Sequence, residues 1–332
     1  MAMKRIMVAL IAMVALSACS KRKPTEGTVS GPPPAGKTLA FIAYHVNAYN
    51  QGIMVVDISI PTNPSVVCSL LGYANQVDYL GNTMLTNSHS YNIIDPSHPV
   101  QCSTIDTLNI QSFALQGTKA YCGCDHPNNN DSLVILDVND PAKPTVIGSC
   151  KLPTSARGVA IKDQYVYTVN GWFGLCVFDV ADSANPHQIA NLLYLDAYAE
   201  HIALSDHFAF VSQQSKVSLI DISQPLAPVK VAVFENAIDG LHGICVQNYY
   251  IYIATSNDGL RIVDFRKPGT PQLVGELVLN GGAYNVAVAG SYAYVVGTNG
   301  WGLRIVDIRN KANPVLLGTL LTDHSIFDIA LY

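Results

Sequence analysis

The sequence predicts an all-β fold. It is a seven-bladed β-propeller of four-stranded blades, with the ring closed by the C-terminal strand pairing with the N-terminal blade. Three observations carry this. First, short apolar runs end in Asp at Asp57 (IMVVD), Asp95 (YNIID), Asp137 (LVILD), Asp179 (LCVFD), Asp221 (VSLID), Asp264 (LRIVD) and Asp307 (LRIVD). The spacings are 38, 42, 42, 42, 43 and 43 residues, so one unit of about 42 residues recurs seven times. Second, each unit holds four runs rich in Val, Ile, Leu and Tyr, the residues that suit a pleated, half-buried surface. Four short strands at this period make a propeller blade, and no unit has room for a long helix. Third, the two ends of the chain complement each other. The segment Ser325–Tyr332 reads as the first strand of a unit, and Thr38–Tyr44 reads as the second. Pairing them inside one blade removes a free edge.

Taken in order, the chain opens on a targeting segment, residues 1–19. Lys4 and Arg5 precede an apolar run, Ile6–Leu16, which is too short to span a bilayer and is followed by Leu16-Ser17-Ala18-Cys19. This tetrapeptide resembles a bacterial lipobox, which implies cleavage before Cys19 and a lipid anchor on Cys19. Acyl chains there would hold the protein to a membrane. Ser20 follows Cys19, which by the same analogy points to the outer membrane and leaves the leaflet open. Residues 20–37 (SKRKPTEGTVSGPPPAGK) lack periodicity and are rich in Pro and Gly, as expected of a disordered tether. Residues 38–332 form the propeller as one domain, since radial repetition lets each blade bury both faces against its neighbours.

Within each unit the Asp precedes a proline-bearing turn, as in Pro61/Pro64, Pro141/Pro144 and Pro268/Pro271. Proline cannot donate to a ladder, and Asp accepts backbone N–H bonds in turns, so this chemistry is structural. The runs LVILD and LRIVD, followed by D-P-A-K-P and N-P-V-L-L-G, resemble the LVIVD-repeat family of bacterial extracytoplasmic β-propeller (lipo)proteins. The resemblance covers about Lys37–Tyr332 and implies the fold and a location outside the cytoplasm. It implies no catalytic residues.

Composition narrows the function classes. The chain has a formal net charge of −5, only 13% charged residues and no basic stripe, which argues against nucleic acid as a partner. Seven cysteines follow Cys19, an odd number for a disulfide framework; several sit at apolar strand positions and read as small buried hydrophobes. Cys122-Gly123-Cys124 places two thiols on one strand face, but no second Cys/His pair stands at zinc-ligand spacing. No metal site and no cofactor are expected.

In such a ring, the starts of the inner strands and the hairpins between second and third strands share one face. Alignment of the units puts seven pairs at the channel mouth: Asn75/Gln76, Gln111/Ser112, Arg157/Gly158, Glu200/His201, His242/Gly243, Tyr284/Asn285 and Phe327/Asp328. From these, Arg157, Glu200, His201, His242, Asn285 and Asp328 are candidate binding-face residues. The wall of a wet channel would also call for polar residues there. Two hairpins carry Asn-Gly-Trp, so Trp172 and Trp301 are further candidates, either as binding anchors or as packing over the next blade. No nucleophile elbow, zinc-protease helix or phosphate loop is present. The reading is therefore a non-enzymatic binding or scaffold module of the cell envelope, with an envelope protein or glycan as partner. A periplasmic enzyme with a site at the channel mouth is the alternative.

Overall fold

The structure, a computed structural model, describes residues 38–332 apart from 48–49, 128–129, 194, 196, 236–239, 257 and 280. The expected targeting segment, Cys19 and the tether lie outside the described residues. Seven antiparallel four-stranded sheets form the ring. We number the blades 1 to 7 in chain order. Their inner strands are Ser325–Leu331, Val77–Leu80, Ile110–Gln116, Gly158–Lys162, Ala199–Leu204, Leu241–Gln247 and Ala283–Ala289. The closure is as expected. Ser325–Leu331 pairs with Leu39–Asn47, and the backbones of Leu39 and Tyr332 bond each other in both directions.

Packing between blades explains the apolar code. Both faces of each blade bury Val, Ile, Leu and aromatic side chains against a neighbour, so every core cluster spans two adjacent blades. All seven third strands pair with their outer strands through a β-bulge at the same place. Opposite that bulge the outer strand always carries a small residue: Cys68, Ser103, Gly148, Ala190, Ala232, Gly275 and Gly318. The reason is the proline turn of the following blade. A methyl group on Gly275 would collide with the Lys311 carbonyl, and one on Gly318 with the Pro61 carbonyl. In blade 1 the Cys68 thiol instead donates to the Ser97 carbonyl at 3.2 Å.

One residue of the repeat needs correction. In six blades the Asp ending the third strand accepts the N–H two residues on, at 2.8–3.0 Å. In blade 2 that bond is made by Asn92, whose Oδ1 accepts from the Ile94 N–H at 2.9 Å. Asp95 lies three residues later, in the turn that Asp140 and Asp182 hold in blades 3 and 4. Matching on the letter Asp displaced the alignment by those three residues, because Asn forms the same turn.

Blade 2 is also the shortest, with three strands of four residues and an outer strand of five. Side-chain bonds make up for its missing ladder. Buried Asn87 accepts the N–H groups of Asn75 and Gln76 and donates to the carbonyls of Ile110 and Gln111 in blade 3. Every bonding position of that amide is used.

All seven described cysteines are free thiols. Cys122 and Cys124 are buried in the same cluster; burial pushes the Cys122 thiol well up and that of Cys124 to about 12, so both stay protonated.

Candidate binding face at the channel mouth

Inner strands begin at the mouth face, and the hairpins joining second to third strands reach the same face. His242, at the start of the blade 6 inner strand, illustrates this through its Nε2, 2.7 Å from Ser256 Oγ in that blade's hairpin. The aligned pairs lie at or just before the starts of these inner strands. Their two members point in different directions, and the cause is a second set of bulges.

In five blades the inner strand carries an extra residue here. Ala283 pairs with Gly297 but Asn285 pairs with Val296, so Tyr284 is extruded. The same displacement extrudes Glu200, Gln111 and Phe327, and in blade 6 it spans His242 and Gly243. A bulge re-aims a side chain that strict alternation would direct elsewhere. Where it occurs, it takes the first member of the pair out of the strand's alternation, while second members such as Asn285, Asp328 and Ser112 bond the next blade.

Several second members fasten one blade to the next, and the candidates Asn285 and Asp328 are among them. Asn285 Nδ2 donates to Asp328 Oδ1 at 2.7 Å, and Asp328 Oδ2 accepts from the Val77 N–H at 2.9 Å, joining blades 7, 1 and 2. Gln76 exchanges two bonds with the backbone of Phe113, and Ser112 Oγ accepts from the Val159 N–H at 3.1 Å. His201 is 0% exposed and meets Tyr284 edge-on at 6.5 Å. Asn285 and Asp328 thus join neighbouring blades, and His201 is buried beneath Tyr284. Gly243 belongs to the same series, because a methyl group there would collide with the Asn285 side chain.

The first members divide the mouth into two halves. One half is an aromatic arc: His242 stacks on Tyr284 at 4.7 Å, Tyr284 meets Phe327 at 5.1 Å, and Phe327 meets His45 at 4.4 Å. Burial lowers the pKa of His242, so its ring is neutral near pH 7. Its Nδ1 is buried with no hydrogen-bond partner. Tyr284 is itself buried, so stacked rings fill this side of the opening.

The other half is charged. Burial raises the pKa of Glu200, and the Arg157 guanidinium works against that rise. Asp125 in the blade 3 hairpin is raised as well, first by burial and then by Asp131, again with Arg157 opposing. The Arg157 guanidinium also lies 5.8 Å from the centre of the Tyr198 ring. Arg157 therefore sits among carboxylates from the blades on either side of its own.

Beside Arg157 stands the hairpin Asn170–Gly174. Asn170 Nδ2 donates to the Thr154 carbonyl, and Gly171, at φ 56, lets Tyr198 press against its backbone. Trp172 meets Tyr198 edge-on at 5.7 Å and remains 63% exposed, next to exposed Phe173. Trp301 is different. It is 6% exposed, its Nε1 donates to the Leu279 carbonyl at 3.0 Å, and the Arg304 guanidinium lies 4.5 Å from its ring centre. Of the two roles left open for Trp301, these contacts fit packing.

His45, Phe173 and Tyr198 join the face without having been singled out. Aromatic residues in loops next to Arg157 and Phe327 were the available signal. An open groove lined by His126, Asp131 and Lys151 runs from that blade 3 hairpin to the end of the blade's outer strand.

A family model described as LVIVD repeat matches residues 40–71, 127–151, 153–192, 196–235, 242–278 and 280–322, together more than half of the chain. Blade 2 falls in the gap between the first two matches. Among solved structures, a Bacteroides fragilis NCTC 9343 protein, described provisionally as a 6-phosphogluconolactonase, aligns at TM-score 0.72 and 12% identity. The alignment covers 91% of this chain and 99% of that one. A hypothetical selenium-binding protein from Sulfolobus tokodaii aligns at TM-score 0.72 and 11% identity, over 91% and 94% of the two chains. At such identities these likenesses show the fold alone. A search among curated proteins finds no match.

Proposed function

The chain belongs to the LVIVD repeat family, and from that premise we propose that it is a non-enzymatic binding module of the bacterial cell envelope, lipid-anchored through Cys19. Its docking surface is the mouth face and its partner an envelope protein. The observation that carries this reading is the set of inner-strand bulges, which turn Gln111, Glu200, His242, Tyr284 and Phe327 to one opening. Because the aromatic half is filled, the opening works as a textured surface rather than a deep pocket, which suits a macromolecule. Trp172 and Phe173 supply exposed aromatic area beside it, the kind of surface from which binding hot spots are built.

The test is a cross-linked capture from native envelopes, comparing the intact protein with a Trp172→Ala/Phe173→Ala variant. A protein captured by the first and lost by the second, at unchanged thermal stability, supports the reading. Identical capture lists would remove this face from the function, and capture of glycan alone would change the partner class.

The alternative, an enzyme, draws on Glu200 with its raised pKa and on the unpartnered Nδ1 of His242. Turnover of any envelope substrate that disappears in both Glu200→Gln and His242→Gln would favour it.

A further inference from the structure

The chain leaves the disc on the side opposite the mouth. Leu39–Asn47 is the second strand of blade 1, and second strands rise from the underside to the mouth face. Leu39 pairs with Asp57, which holds an underside turn, and the Thr38 N–H donates to Ser59 Oγ in the same turn. Whatever precedes Thr38 is therefore joined to the underside. We propose that the underside faces the anchoring membrane and that the mouth face is presented away from it. This orientation rests on the lipid-anchor reading given above.

Lengths favour it. Eighteen residues, 20–37, separate Cys19 from Thr38. Eighteen residues reach at most about 60 Å. A seven-residue strand is about 23 Å long and a four-stranded blade runs about 15 Å across the ladder. For the mouth to lie on the membrane, the tether would have to cross to the rim and climb the whole disc. That path is about 40 Å, two-thirds of the longest reach eighteen residues allow. With the underside down, no detour is needed.

Charge does not turn the disc over. Of the 19 Lys and Arg, 13 fall in residues 38–332, against 23 of the 24 Asp and Glu, so the propeller carries a formal charge of −10. Lys21, Arg22 and Lys23 lie next to Cys19, where they meet anionic headgroups. Underside turns headed by Asp57, Asp137, Asp179 and Asp221 are repelled by the same surface. At physiological salt that repulsion fades within about 8 Å. It holds a gap open under the disc and is too short-ranged to apply a torque across it.

The chain's own tryptophans allow a direct test. Trp172 reports from the mouth face, and Leu226, exposed in the underside turn before Val229–Glu235, can be replaced. Buried Trp301 contributes the same background to both reporters. The lipid-modified full-length protein is bound to phosphatidylethanolamine–phosphatidylglycerol vesicles that carry a dansyl headgroup lipid. Energy transfer is then compared between the wild type and a Trp172→Phe/Leu226→Trp variant. Transfer several-fold stronger from position 226 is expected. Equal transfer, or stronger transfer from Trp172, overturns the orientation while leaving the anchor standing. Sedimentation with the vesicles that is unchanged in Cys19→Ser would remove the anchor reading and the orientation with it.

Discussion

The two hairpins that share Asn-Gly-Trp end in opposite environments. In blade 7, six residues separate Val296 from Leu303, and Trp301 is buried. In blade 4, five residues separate Val169 from Leu175, and Trp172 is mostly exposed. The tripeptide is the same; the slot beneath it is not. Trp301 lies against Gly281 and Gly297, and a methyl group on either would strike its ring. The ladder position of Gly297 is taken in blade 4 by Asn170, whose side chain fills that space and bonds the Thr154 carbonyl. An exposed and a buried tryptophan are thus distinguished by the glycines that open a slot beneath one of them rather than by the shared tripeptide.

The sharpest way to break this comparison is to remove each ring. Trp301→Ala should cost about 3–5 kcal/mol in chemical denaturation, as for other large buried aromatics. A loss comparable to that of Trp172→Ala would refute the slot. Next, Gly297→Val should fill the slot from below, costing about 1–3 kcal/mol. It should also expel Trp301, shifting its emission to the red; an unshifted spectrum would show that the slot can widen.

The two halves of the mouth should differ in pH response. Burial lowers the pKa of His242 from 6.5, so the stability its neutral ring contributes is present above 6.5 and lost as the pH falls through the lowered value. His242→Phe should flatten that part of the melting-temperature profile while keeping the stack on Tyr284. Glu200 has the opposite sign. Its pKa is raised from 4.5, so its contribution is complete below 4.5 and lost as the pH rises. The melting temperature of Glu200→Gln should therefore gain on the wild type above that pH, and a constant difference would contradict the burial of the carboxyl. The smallest stability effect is expected for Trp172→Ala, within about 0.5 kcal/mol. Its consequence should appear in partner capture.

Much of the architecture was legible in the sequence. The repeat, the four strands per unit and the closing strand follow from periodicity and turn chemistry, which are local. The positions of the mouth pairs were legible for the same reason. What each side chain does there was not. A one-residue bulge reverses the direction a strand residue faces, and neither Glu200 nor Tyr284 announces its bulge in the residues around it. Asn285 and Asp328 read as a polar lining because their bonds reach backbone or side chains one blade away, far off in sequence. Asp95 misled because blade 2 performs the turn with Asn92, so matching function would have required weighing Asn and Asp alike.

The closure of blade 1 also bears on when the ring can form. Six blades are built from strands consecutive in the chain, so their ladders need only short loops to meet. The seventh joins Ser325–Leu331 to Leu39–Asn47, a contact between opposite ends of the domain. Contacts of such separation are the slowest to establish. Until that last strand arrives, the inner edge of blade 1 has no partner and the Val77 N–H lacks its Asp328 carboxylate. One blade thus draws on both ends of the domain, and the circle cannot close before its last strand is in place.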